Sequence, residues 1–527
     1  MEELIKLFMY WPLTIILATV FIVLGETLIN FKRSYMTFTA LAGLLMALIM
    51  TYLPYLDNFQ PIFIGGTGYN SSQVVIDKFT LFFTTIFIIA ALYTIITGYN
   101  KLQEAPEDYG SGIFLVLVLL ATTGMTLVSA SADLLTLFVT WELLALPGYA
   151  LVAFYTREKL SLEAAFKYFL LGGASAGLLL FGMSILYGFS GQSNIYAIFD
   201  AIATTTDDEN AFFLILGLVA IIAGIGFEIG IVPFHWWIPD TYEGTSTAIA
   251  QLLTIGSKKA GFGAIFRVLL IPLFMVSNLA TASAETQQVI AVAQLVIAIA
   301  AIVTMTVGNV AALKQQNLVR LLAYSSIAQA GYIMIAVAVA IAPPDVQILG
   351  TGVGELGLFG GLLHILSHTI MKGGAFAVVT VLLITGGLKT VDDLTGLSKE
   401  SRWLAFALGV IVLSLAGIPP LFGFWSKAFL FISAVFGGLW WLALAGLLNS
   451  AISLFYYARI VKAMYIDKPE EVETTEKISE VQFGKTPIYY WLPIGATVIA
   501  LIGIGLFPTF FFAEVFKVAE AVLTVFV

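Results

Sequence analysis

The chain has 527 residues, of which 60% are hydrophobic and only 11% charged, with a formal net charge of −9. A soluble chain of this length needs far more charge to cover its surface, so composition places it in lipid. It contains no cysteine, which excludes disulfides, thiolate metal sites and cysteine-ligated iron–sulfur clusters within the chain. A Gly-rich phosphate loop and a dinucleotide fingerprint are both missing, which argues against nucleotide hydrolysis and hydride transfer.

Apolar runs long enough to cross the hydrocarbon core recur from end to end, and the ten-residue alternating segments of a membrane β-barrel do not. The fold class expected is therefore an all-α polytopic membrane protein. In chain order the runs predict roughly fourteen helices, near 8–30, 36–54, 79–98, 112–130, 133–155, 162–189, 211–234, 245–272, 287–312, 320–342, 355–386, 403–433, 436–464 and 487–512. The first run follows two glutamates and one lysine rather than a net positive segment, and reads as a retained span rather than a cleaved signal.

Basic residues set the expected orientation. Loops after odd-numbered spans carry Lys32, Arg33, Lys101, Arg157, Lys159, Lys314, Arg320, Lys389, Lys399, Arg402, Lys468, Lys477 and Lys485. Loops after even-numbered spans carry Lys78 and otherwise Asp57, Asp200, Asp207, Asp208, Glu209, Glu285 and Asp345. Only Asp240 and Glu243, after the seventh span, break the pattern. The positive-inside rule then puts both termini on the non-cytoplasmic side.

KYFLLGGASAGLLLFGMSILYG in the sixth span loosely echoes HTIMKGGAFAVVTVLLITGG in the eleventh. The seventh and twelfth spans both hold prolines inside an apolar run, as GFEIGIVPFHWWIP and SLAGIPPLFGFWSK. Units five helices apart have opposite orientation, so this pattern predicts two inverted five-helix repeats with interrupted seventh and twelfth helices. Transporters place ion sites at paired interruptions of this kind. The expected organisation is a three-helix segment at 1–110, repeats at 111–275 and 286–465, and a cytoplasmic loop with a last helix at 466–527.

Six ionisable residues lie far from any loop: Glu142, Glu228, Lys258, Lys259, Lys372 and Lys427. A mid-bilayer charge costs roughly 2.5–3.5 kcal/mol on the lenient insertion scale, so each needs a reason. One reason is structural, a buried ion pair locking two helices or a lysine snorkelling to the interface. For a set of six, a proton route is the better reading. Burial disfavours the charged state of lysine and glutamate alike and an opposite charge restores it, so parting an ion pair changes proton affinity.

His364, His368 and Lys372 are spaced i, i+4, i+8, on one helix face about 6 Å apart per step. Two histidines so spaced can also bind zinc, but no carboxylate or cysteine stands near them in sequence and Lys372 repels a cation. A hydrated relay is favoured, with no metal. His235, between Pro233 and Pro239, is either a relay group or a local hydrogen-bonding one. Lys258 and Lys259 are neighbours and point about 100° apart. One is expected to face the bundle interior, the other a second cavity or a partner-facing surface. Arg267 is expected as an interfacial anchor.

TWELLALPGYALVAF, EAAFKYFLLGGASAGLLLFGMSILYG, VPFHWWIPDTYEGTSTAIAQLLTIGSKKAGF, GNVAALKQQNLVRLLAYSSIAQAGYI and LAGIPPLFGFWSKAFLF together resemble the antiporter-like membrane subunits of respiratory complex I and its relatives, the Mrp antiporter superfamily. The likeness covers about 130–465 and is nearest to the N-type subunit. AYSSIAQAGY, LNSAISLFYYARIVKAMY and the lack of a long C-terminal lateral helix support that type. The H-x3-H-x3-K face is more similar to the M-type and Mrp relatives.

The resemblance implies proton translocation driven by quinone reduction in a neighbouring module. The electron donor would be NADH, reduced F420, ferredoxin or another carrier. This chain would hold no cofactor, with quinone, flavin and iron–sulfur clusters in partner subunits of a hetero-oligomeric membrane complex. By motif position, Glu142 is like the family's fifth-helix glutamate, Lys258 its central eighth-helix lysine and Lys427 its twelfth-helix exit lysine. Where the family usually has a seventh-helix lysine this chain has Glu228, and Lys259 is an added positive charge that could replace it. The alternatives are a subunit of a Mrp-type cation/proton antiporter or membrane-bound hydrogenase, an autonomous secondary transporter for a small solute, and a copy that serves only as scaffold.

Overall fold

In the computed structural model, residues 11–56, 60–103, 107–155, 158–203, 208–270, 284–341, 347–348, 351–468 and 486–524 are described. The calls on Arg157, Lys477, Lys485, Asp57, Asp207 and Asp345 lie outside these residues. The chain opens with helices α1 (Trp11–Leu28) and α2 (Arg33–Leu56), followed by a small antiparallel hairpin, β1 (Ile62–Ile64) with β2 (Val74–Ile76), in the register Phe63 to Val75. Next come α3 (Lys78–Gln103), α4 (Glu107–Ala130), α5 (Leu134–Val152) and α6 (Lys159–Ser190). A short α7 (Ile195–Ala203), not expected from the sequence, precedes α8 (Asp208–Ile229).

The seventh predicted span breaks after Ile229. Gly230 adopts φ 74, and the helix resumes only at α9 (Trp237–Gly244). Then α10 starts at Thr247–Leu252, passes through a π-helical stretch at Leu253–Ser257, continues as Lys258–Ile265 and ends in a second π-stretch at Phe266–Leu270. Stretches of π-helix inside an α-helix are a frequent mark of functional sites.

The second half holds α11 (Ala284–Leu313), α12 (Leu318–Ala340) and the long α13 (Val353–Gly386). The twelfth predicted span is divided, into α14 (Arg402–Ala416) and α15 (Phe422–Phe436), with Gly417 at φ 90 closing the first part. After these come α16 (Trp440–Tyr465), α17 (Ile488–Leu506) and α18 (Pro508–Thr524). The fourteenth predicted span runs to 512, whereas α17 stops at Leu506. Pro508 lacks the N–H that would continue a helix and suits the first turn of the next.

Side-chain caps fix several starts. Asp133 accepts from Leu135 and Thr136 N–H at α5, Asn317 from Val319 and Arg320 N–H at α12, and Ser246 from Ile249 N–H at α10. Ten of the described helices are long and apolar enough to cross a membrane, and Pro12–Leu28, Ile215–Ile229, Arg402–Ala416 and Phe422–Phe436 are shorter apolar helices. The outer faces expose Phe21, Phe38, Phe166, Phe455 and Ile499, while Glu228, Lys258, Lys259, Lys372 and Lys427 are buried. That distribution inverts the one of a soluble protein and suits a bundle solvated by lipid.

Candidate functional site: a buried row of lysines and histidines

The breaks after Ile229 and Ala416 are held by different chemistry. After Ile229, the Trp237 ring stacks against both Phe227 and Tyr168, 5.1 and 4.5 Å from their centroids, and its Nε1 donates to the Phe227 carbonyl at 2.8 Å. After Ala416, Lys427 Nζ donates to the carbonyls of Leu415 and Ala416 at 3.0 and 3.1 Å and to Ser450 Oγ at 3.0 Å. The Tyr332 ring lies 4.6 Å from the same Nζ. Helix ends leave carbonyls without partners, and an ammonium there satisfies both bonding and dipole.

Between the two breaks runs a polar row. Glu228 on α8 accepts a hydrogen bond from Ser257 Oγ, in the π-stretch of α10. Lys258, the next residue, reaches the Ser326 carbonyl and Oγ on α12, both at 3.2 Å, and Ser326 Oγ is 2.8 Å from Thr254 Oγ1. Lys372 on α13 donates to the Leu322 carbonyl at 2.8 Å and to Ser325 Oγ at 2.7 Å, and Ser325 meets the Tyr457 hydroxyl. His364, two turns earlier on α13, bridges Ser426 Oγ (2.9 Å from Nδ1) and Gln329 Oε1 (2.8 Å from Nε2). Gln329 Nε2 donates to the Leu415 carbonyl at 3.3 Å, the oxygen that Lys427 also engages.

In the middle of the row, Lys259 and His368 are fully buried, and neither Lys259 Nζ nor either ring nitrogen of His368 has a hydrogen-bond partner. The two act on one another electrostatically, and the His368 ring is 6.5 Å from that of His364. Buried polar groups are normally satisfied by protein or ordered water, which sets these three nitrogens apart from the rest of the row. Among the described residues, the four lysines of the row and Glu228 make no ion pair within 4.0 Å. Seven of the nine candidate residues are thus brought together: Glu228, Lys258, Lys259, His364, His368, Lys372 and Lys427.

The other two stand apart. Glu142 is half-buried in the middle of α5, and Tyr149, two turns along that helix, lies in the field of both Glu142 and Glu228. His235 falls in the break between α8 and α9, buried, with its ring 4.8 Å from Trp236 and Nδ1 unpartnered.

Two expectations are corrected. Of the two alternatives for the second lysine, a second cavity or a partner-facing surface, the partner-facing surface is ruled out: both lysines of the pair are fully buried, because α10 is buried on every face from Ala248 to Leu269. Arg267 is no interfacial anchor. It is 1% exposed and forms a two-pronged ion pair with Asp77, Nη1 to Oδ2 at 2.7 Å and Nη2 to Oδ1 at 2.8 Å. Tyr196, Thr80 and the Ser129 carbonyl complete its bonds. The helix-locking ion pair considered for the lysine row exists, then, but at this site.

The loop residues that broke the charge pattern also find a reason. Asp240 binds Lys167 at 2.8 Å and Arg320 at 3.0 Å, and Glu243 binds Arg320 at 2.7 Å. Two acidic groups are thereby offset by two basic ones on neighbouring helices.

Comparison with known proteins agrees with this geometry. The family model for the transmembrane region of NADH:quinone oxidoreductase and Mrp antiporter subunits matches residues 131–453. Subunit N of F420H2 dehydrogenase from Methanosarcina mazei is 37% identical, over 96% of this chain and 97% of that one. NADH-quinone oxidoreductase subunit N 2 of Roseiflexus castenholzii is 38% identical over 76% of each. A chain of respiratory complex I from Thermus thermophilus with bound aureothin superposes with a TM-score of 0.73 at 27% identity, covering 95% of this chain and 98% of that one. A chain of the Mrp complex from Dietzia shares the fold, with a TM-score of 0.80 at 19% identity and 98% coverage of each. The chain belongs to the family of antiporter-like membrane subunits of NADH:quinone oxidoreductase and Mrp complexes.

Proposed function

We propose that this chain is the N-type, proton-translocating, non-redox membrane subunit of a complex I-like quinone oxidoreductase. The observation that carries the reading is the row itself, with seven ionisable side chains gathered in the apolar interior and no ion pair among them. Such a row suits protons handed between groups better than one solute pocket, because Lys258, Lys372 and Lys427 sit on three different helices, each with its own partners. Lys258 and Lys427 serve as the central and exit groups, Lys259, His364, His368 and Lys372 as the relay between them, and Glu228, Glu142 and His235 as the polar approach. The electron donor is of the class named by the relatives, NADH or F420H2. Quinone, flavin and iron–sulfur clusters reside in partner subunits.

The paired breaks at Gly230 and Gly417 support an inverted repeat of 111–275 and 286–465, beside the three-helix segment at 1–110 and the last segment at 466–527. The distribution of basic loops supports termini on the non-cytoplasmic side. The test is proton pumping by the assembled complex in proteoliposomes, for wild type, Lys258→Ala and Lys427→Ala, with the electron-transfer rate measured alongside. Loss of pumping with assembly intact is expected. An unchanged proton-to-electron ratio in both variants would leave the lysines structural and the chain a scaffold.

A further inference from the structure

A vestibule of about 810 Å³ opens between the ends of α3, α10, α12 and α13. Thr97, Thr247, Asn317, Thr380, Glu243 and Lys389 are among the residues that line it. It is a polar, charged basin on the side that carries Lys159, Arg320 and Lys389. Its inner wall is polar as well: Thr380 Oγ1 donates to Thr247 Oγ1 at 2.7 Å.

One turn inside Thr247 on α10 stands Gln251, fully buried. Its Oε1 accepts from Thr97 Oγ1 of α3 at 2.7 Å, and its Nε2 donates to the Gly373 carbonyl of α13 at 2.5 Å. The carboxamide thus spans the space between two helices contributed by distant parts of the chain. Gly373 is the residue after Lys372. One further turn inwards on α10, Thr254 bonds Ser326, and Ser326 bonds Lys258. Outside Gln251 lies the basin, and inside it lies the polar row. A carboxamide does not take up or release protons near neutral pH, so Gln251 separates the basin from the row without itself being able to carry a proton between them.

We propose that the Gln251 carboxamide is the gate between the vestibule and the buried lysines. Swinging the side chain off Thr97 and Gly373 admits water to Thr254, and restoring both bonds shuts it out. The inference rests on the proton-translocating reading for its purpose, but not for its test.

The chain contains no cysteine, so a single Thr254→Cys change gives one thiol whose modification is read as a mass shift of this subunit alone. The assembled complex in proteoliposomes is exposed to 2-aminoethyl methanethiosulfonate, a small cationic thiol reagent. Pumping by the complex without these changes is recorded in parallel. With Gln251 present, labelling at position 254 is expected to be slow. Adding Gln251→Ala, which removes the gate, is expected to speed it by at least about tenfold, and adding Thr97→Val, which removes one of the two bonds, by about fivefold. Thr97→Val keeps the proposal open to refutation if Gln251→Ala does not assemble. Equal labelling rates with and without these changes would overturn the gate. Faster labelling in a complex that does not pump would keep the gate and reject the translocation reading.

Discussion

Lys427 and Ala416 sit on opposite sides of a helix break, joined by a 3.1 Å hydrogen bond from the ammonium to the last carbonyl of α14. A second bond, to Leu415, and the Tyr332 ring at 4.6 Å give the lysine a structural task as well as an ionic one. Lys427→Met, which keeps most of the volume, removes the charged donor from two C-terminal carbonyls, which then keep only Gln329 Nε2 and Ser450 Oγ, and is expected to lower stability by about 1–3 kcal/mol. Tyr332→Phe keeps the ring and is expected to be milder at this contact, while Tyr332→Leu should lose about 0.5–2 kcal/mol of cation–π attraction. The half-life of thermal inactivation of the purified complex ranks the three. If Lys427→Met were the most stable of them, the capping role would be wrong.

The left-handed glycines at the two helix breaks, Gly230 and Gly417, invite different costs. At Gly230 an added methyl would lie 2.0 Å from Ile238 Cδ1, and at Gly417 it would lie 3.1 Å from Lys427 Cδ. Both also place an L side chain at positive φ, which costs roughly 1–2 kcal/mol. Gly230→Ala is therefore expected to reduce the amount of assembled complex in membranes more than Gly417→Ala does. The milder variant should instead show its effect on pumping, by pushing Lys427 off its carbonyls. Quantitative immunoblotting of membranes and a proton-to-electron ratio distinguish the two.

Much of this architecture was legible in the sequence because lipid imposes simple rules. Long apolar runs, prolines within them and rare charges each cost free energy unless structure answers for them. Lys258, Lys372 and Lys427 stood out for that reason, and so did the H-x3-H face of α13. What local pattern does not mark is neutral or distant. Ser257, Ser325, Ser326, Gln329 and Ser426 are small polar residues within apolar helices, whose only signal was the run AYSSIAQ and its like. Which of them meets a lysine depends on helix crossings that no local pattern encodes. The burial of α10 on every face is likewise not encoded locally, and with it the enclosure of Lys259. Arg267 looked interfacial because its partner, Asp77, lies 190 positions away in the chain.

That ion pair supports the sharpest stability prediction. Arg267 and Asp77 tie α10 to the start of α3 and the hairpin, with the guanidinium also 4.7 Å from the Phe79 ring. Removing one partner of a buried pair leaves the other charged and unpaired, at about 3–5 kcal/mol, whereas removing both with apolar residues is often close to neutral. Asp77→Leu alone is expected to abolish accumulation of the subunit, and Asp77→Leu with Arg267→Leu to restore much of it. A double variant no better than the single one would show that the hydrogen bonds to Tyr196, Thr80 and Ser129 matter more than the charge pairing.

Lys259 leads to the opposite sign. Its ammonium is fully buried, has no hydrogen-bond partner, and shares its surroundings with Lys258 and Lys372. A side chain that is costly to bury and makes no bond is not there for stability, so Lys259→Met is expected to be neutral or to stabilise the complex by about 1–3 kcal/mol. His368→Leu, at the facing unpartnered imidazole, should behave likewise. Both variants are then expected to pump fewer protons per electron than wild type, because apolar side chains would interrupt the ionisable row between Lys258 and His364. Thermal inactivation and pumping measured on the same preparations settle the matter. Loss of stability together with normal pumping would mean that Lys259 is a structural group, and that the positive charge absent at Glu228 is not supplied from this position.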